Sequence, residues 1–161
     1  MKNWNERTQE IANLLNPPFC ASIIYSVSHE YQKIKGVPMP YVLVYLILPI
    51  VLHRNTREII NSKTNMTVWI QRNPNVLVGY PERAKSLVPF TNEAVEYLLI
   101  QKNITLDEFG LSIIKPLSKA AMGKTKDKEI LECYNKSEHL GRWFVQTGNE
   151  ENIYTVWGVK P

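Results

Sequence analysis

The chain has 161 residues, 44% of them apolar and 21% charged, a balance that excludes a disordered chain and predicts one globular domain. A domain of this size buries roughly 70% of the surface it exposes when unfolded, so it folds without disulfide or metal staples. Its 19 Lys and Arg against 15 Asp and Glu leave a net charge of +4, which permits a nucleic-acid partner without arguing for one.

The N-terminal run Met1 to Glu10 is too polar for a signal peptide. With only Cys20 and Cys133, and no disulfide framework, a cytoplasmic location is expected. A first helix is predicted over Asn5–Asn16, with Ile11, Leu14 and Leu15 on one stripe. Pro17-Pro18 ends it and suits the first turn of a second helix reaching about Lys33, with Ile23, Ile24, Val27 and Tyr31 buried. The apolar run Tyr41–Leu52 is too short to span a membrane and contains Pro49, so no membrane is expected as a partner. It reads as a buried core helix, with a central strand as the alternative, because periodicity does not separate the two in a fully apolar run. Asn55 or Thr56 caps a short helix through Ile60, with Ile59 and Ile60 facing in.

Thr64 is placed as the cap of a helix carrying Val68, Trp69 and Ile70, which Asn73-Pro74 closes. Pro81 opens a helix with Ala84, Leu87 and Val88. Pro89 is expected to interrupt it, and Thr91 to cap the next, whose inward stripe is Ala94, Val95, Leu98 and Leu99. Two apolar runs around a turn ending in Gly110 predict a hairpin over Ile104–Ile114. Helix, short break, helix and hairpin is the order of a winged helix-turn-helix. Lys115, Lys119, Lys124, Lys126 and Lys128 then mark an exposed loop. A helix from Thr125 or Lys126 to Val145 buries Ile130, Tyr134, Leu140, Trp143 and Phe144, and Ile153–Val159 reads as a strand. The expected fold is therefore α+β and mainly helical, in a single domain. It has a helical bundle over 1–62, a winged-helix-like part with its β-hairpin over 63–116, and a Lys-rich loop, closing helix and strand over 117–161.

Motifs for catalysis are missing from the sequence: it has no phosphate-cradling Gly-rich loop, no Gly-x-Ser-x-Gly elbow and no His-Glu-x-x-His pair. Cys-x-x-Cys spacing is absent too, so neither metal, cofactor nor catalytic residue is expected. His53 is weighed as a general base against a helix-end histidine satisfying backbone carbonyls, and the second reading is preferred. Asp107 and Glu108 fit turn chemistry better than acid catalysis. The pairing of Cys133 with His139 has no third group to complete it. The five lysines are candidate phosphate contacts. Trp4, in a polar stretch, and Trp157, near the C-terminus, are candidate partner anchors.

A set of ordered segments resembles a known family. They are Trp4-Asn5-Glu6-Arg7 leading into Ala12–Pro17, Leu46–His53 with Thr56-Arg57, Trp69–Pro74, Glu82–Pro89, Gly141-Arg142-Trp143-Phe144 and Ile153–Val159. Together they are similar to the middle component of prokaryotic three-component ABC systems. The resemblance implies an accessory subunit between an SMC-like ABC ATPase with long coiled-coil arms and an effector subunit, such as a nuclease. It implies a role in defence against phage and plasmids, on a plan similar to Lamassu-type systems. DNA is then reached through the complex, and no catalytic residue is carried over. Arg7 and Arg142 join Trp4 and Trp157 as candidate partner contacts. The competing reading is a winged-helix DNA binder whose Thr91–Asn103 helix enters the groove. That helix carries two acids and one base, which tells against it.

Overall fold

The computed structural model describes residues 15–118 and 126–161. The helix expected over Asn5–Asn16, together with Trp4, Arg7, Lys119 and Lys124, lies outside those residues.

The second proline-led helix is the axis of the fold. Helix α1 (Pro17–Lys35) starts where Asn16 Oδ1 accepts the Phe19 N–H at 2.8 Å and stops at Gly36. Gly36 takes the left-handed conformation, φ 73°, that a glycine adopts without steric cost. The helix is buried on nearly all sides from Cys20 to Ser28. Its serines are tolerated there because their hydroxyls donate to its own carbonyls: Ser22 to Phe19, Ser26 to Ser22 and Ser28 to Ile24.

The Tyr41–Leu52 run is helical, as a 3-10 turn (Tyr41–Leu43) followed by α2 (Val44–Val51), whose residues are all buried except the half-buried Tyr45. Being short and ending inside the protein, this element relies on side chains from other elements to satisfy its carbonyls. Tyr154 donates to Val42, Tyr80 to Leu46 at 3.5 Å, Arg83 Nε to Pro49 at 3.1 Å and Arg57 to Val51 at 2.9 Å. Helix α3 (Arg54–Ile59) begins just before the predicted cap. It turns Thr56 and Arg57 inward and leaves Ile59 43% exposed, a correction to the expected inward Ile59. Helix α4 (Met66–Arg72) is capped by Asn65, one residue after the predicted Thr64, through the Val68 N–H at 2.9 Å.

Helix α5 (Tyr80–Ile100) is continuous through Pro89, so the predicted break there does not occur. The ring of Pro89 is exposed, as is Lys85, whose carbonyl loses its helical donor to the proline; water can serve it. Thr91, expected as a cap, is fully buried in the helix interior. The hairpin is where it was expected: β1 (Ile104–Asp107) pairs antiparallel with β2 (Gly110–Ile113), Ile104 opposite Ile113. Asp107 Oδ1 accepts the Phe109 N–H at 2.8 Å, which is turn chemistry. On the outer edge of β2, Leu111 exchanges main-chain bonds with Met39, and the Gln32 amide takes both main-chain groups of Ile113.

Asp127 caps α6 (Lys128–Thr147). The segment read as a strand, Ile153–Val159, is instead helix α7 (Glu150–Val156) and its C-terminal turn. Asn149 Oδ1 caps it through the Asn152 N–H, and Glu150 and Glu151 sit favourably in its first turn. Ile153, Tyr154 and Trp157 are buried at helical spacing, and this tertiary burial overrides the β-propensity of the segment. Three tryptophans meet in the core: Trp69 lies 5.0 Å from Trp143 and 6.3 Å from Trp157, and Tyr80 lies 4.7 Å from Trp157. Among the described residues the fold is thus seven α-helices and a two-stranded sheet, and no helix is long and apolar enough to cross a membrane.

Candidate functional site

Helices α1 and α6 pack side by side and run parallel: Ser22 meets Tyr134, and Glu30 meets Arg142. A cleft of about 680 Å³ opens where both helices begin. Leu15, Phe19, Leu52, Leu87 and Ile130 give it apolar walls, Arg54, Arg57, Arg83, Asp127 and Glu129 give it charge, and His53 adds a polar ring.

Arg57 organises this cleft. Its side chain is 2% exposed, it donates to the Val51 carbonyl, and it pairs with Glu129 at 2.7 Å. Arg57 Nε and Glu132 Oε1 lie 3.4 Å apart as an ion pair without hydrogen-bond alignment. The cation thus sits at the C-terminus of α2, where the helix dipole favours positive charge, and it ties α3 to α6. Replacing Arg57 by Met is expected to cost about 2 kcal/mol, because the buried Val51 carbonyl loses its donor. Glu129, whose side chain is 54% exposed, is expected to cost under about 1 kcal/mol as Glu129→Gln, its ion pair being screened by solvent. Urea denaturation of the two variants checks the ordering, and equal losses would contradict it.

His53 Nδ1 lies 2.7 Å from Thr56 Oγ1, so its side-chain partner is a hydroxyl and not the backbone carbonyl anticipated. Burial, then the charges of Arg83 and Arg57, lower its pKa and keep the ring neutral at pH 7. Cys133 is buried in the same cleft, and burial pushes its thiol up to about 11, so no thiolate forms near neutrality. His139 makes no pair with it; its ring packs against Trp143 at 4.8 Å.

A second groove, about 520 Å³, is lined by Ser62, Lys63, Thr64, Asn65, His139, Arg142 and Gln146. It is polar where the first is apolar. Arg142 is 42% exposed and pairs with Glu30 at 3.4 Å. Thr64 Oγ1 and His139 Nε2 are buried in this lining with no hydrogen-bond partner among the described residues. Burial, then the Arg142 charge, lowers the His139 pKa.

The remaining sequence candidates fall in different places. Trp157 is 0% exposed; its Nε1–H donates to Met66 Sδ at 3.3 Å, so the indole is a core group and not the exposed anchor anticipated. Lys126 and Lys128 flank the α6 cap and are exposed. Lys115 lines a shallow groove with Tyr25, His29, Gln32 and Lys33. Sequence reasoning missed Arg57, Arg83 and the cleft they line, because the cleft draws on four separate stretches of chain.

Residues 4–161 match the family described as ABC-three component (ABC-3C) system Middle Component 3. No curated protein matches the chain. No solved structure matches it either.

Proposed function

The chain belongs to the ABC-three component system Middle Component 3 family, and from that membership we propose that it is a non-enzymatic subunit bridging an SMC-like ABC ATPase and an effector. The complex acts in the cytoplasm against phage and plasmids, and this subunit restrains the effector until invading DNA is sensed through the assembly.

One observation supports a bridge in particular. Helix α6 contributes Glu129, Ile130 and Cys133 to the apolar cleft and His139, Arg142 and Gln146 to the polar groove. At 3.6 residues per turn these two sets point about 150° apart around the helix, and Ile130 and Arg142 are separated by about 18 Å along it. A rigid helix with differently built recesses on opposed faces can hold two unlike partners at once. The apolar cleft suits a hydrophobic anchor; the groove with Arg142 suits a polar or acidic one.

The test is co-purification of a tagged copy from its native gene cluster after nuclease treatment, with Ile130→Glu and Arg142→Glu alongside wild type. The wild type should retain both partners, Ile130→Glu should lose one and Arg142→Glu the other. Loss of both partners from either variant, or of neither from both, would remove the two-faced bridge. Partners held only while DNA is intact would favour the winged-helix DNA reading. Against that reading, the exposed positions of α5 beyond Thr91 are Asn92, Glu96, Leu99 and Ile100, with no cation among them.

A further inference from the structure

The groove containing Lys115 lies on a different side of α1 from its contact with α6, and its chemistry differs from that of both recesses above. Tyr25, His29 and Lys33 follow one another at four-residue spacing along α1, so they form a single ridge. The Gln32 amide clamps Ile113 of β2 to this part of α1, with the Ile113 N–H bond at 2.8 Å. That clamp brings Lys115, two residues further on, into the lining of the same groove as His29 and Lys33. Lys115 and His29 are exposed, and the Lys33 side chain is 65% exposed. Among the described residues no acid lines the groove. The acid beside it, Glu30, has a side chain only 10% exposed and is already paired with Arg142 at 3.4 Å and Lys33 at 3.7 Å.

We propose that this groove binds the phosphate backbone of duplex DNA, so that the subunit itself contributes a contact to DNA sensing. Charge decides the ligand class: two lysines from separate stretches of chain, lining one groove with no acid among its described lining residues, match a polyanion. The aromatic content decides between duplex and single strand. Single-strand sites need exposed ring faces on which bases stack. Here Tyr25 is 7% exposed and its ring already stacks on His29 at 5.6 Å, which leaves the His29 imidazole as the single exposed ring among the described lining residues, too few for successive bases to stack. What remains are phosphate contacts, which are strongest on the ligand of highest charge density, a duplex carrying one charge per about 1.7 Å. Such contacts position without reading sequence. The site is separate from the Thr91–Asn103 recognition helix of the winged-helix reading, and it does not depend on the two-faced bridge.

The experiment is fluorescence anisotropy of a labelled duplex with the purified full-length chain, across a salt series. Lys33→Gln/Lys115→Gln is compared with Lys85→Gln/Lys160→Gln, a pair of exposed lysines on other elements that removes the same charge. Losing two phosphate contacts should weaken binding on the order of ten-fold and lower the slope of log affinity against log salt by about 2. The control pair should leave both quantities nearly unchanged. The proposal fails if the wild type binds no duplex at low salt, or if the control pair weakens binding as much. Tighter binding to a single strand of the same length would also overturn the duplex assignment.

Discussion

A Trp157→Ala variant is expected to lose roughly 3–5 kcal/mol of stability, the range found when a large buried aromatic is truncated. The indole is fully buried, packs against Tyr80 at 4.7 Å and Trp69 at 6.3 Å, and satisfies its N–H on Met66. Truncation opens a cavity shared by α4, α5 and α7, and the two remaining rings cannot close it without moving their helices. The loss is a large share of the roughly 5–15 kcal/mol that holds a typical domain together. It should lower the melting temperature by about 10 °C. Circular dichroism melts together with urea denaturation measure this directly. A loss below about 1 kcal/mol, the level typical of a surface change, would show the indole to be a surface group free for a partner.

Gly141→Ala is expected to destabilise by about 3 kcal/mol, at the upper end of what overpacking costs. In a solvent-facing helix the same change would stabilise by about 1 kcal/mol, because alanine is the better helix former. Here a Cβ would lie 2.7 Å from the Val27 carbonyl oxygen and 2.9 Å from Glu30 Cβ. Both neighbours belong to α1, and one of them is backbone, so relief requires the two central helices to separate. Separation would also strain the Ser22–Tyr134 and Glu30–Arg142 contacts on either side. A variant as stable as wild type, or more so, would mean that α1 and α6 do not approach this closely. The sign alone is decisive, since propensity and packing predict opposite outcomes.

Both residues also show how far the sequence could be read. Gly141 stands in a helix predicted correctly from its apolar spacing, yet nothing local says that another backbone comes within reach. Trp157 sits in a segment rich in β-branched and aromatic residues that reads as a strand. The cap at Asn149 and the i, i+4 spacing of Ile153 and Trp157 were the signals for a helix. Pro89 misled in the same way: its cost depends on whether the freed carbonyl faces water, which the sequence does not state. Of the candidate site, Arg142 and Lys115 were legible as exposed cations. Their companions Glu30, His29 and Lys33 were not, because they come from a helix more than eighty residues earlier in the chain.

By itself the sequence determined the hairpin, the proline-led central helix, the buried Tyr41–Leu52 run and the family. These are set by local rules: a glycine where φ is positive, a proline at a first turn, a side-chain cap, an apolar period and an ordered set of short motifs. Tertiary structure alone decided that Arg57 is a core residue, that α5 passes through Pro89 and that the last segment is helical. The same holds for the two recesses that α6 separates. For Arg57 and for the last segment the outcome rests on a partner far away in the chain: Glu129 for Arg57, and the Trp69–Tyr80 pocket for Trp157. Burial free energy belongs to such pairs of distant surfaces, and it outweighs the few tenths of a kcal/mol per residue by which local propensities differ.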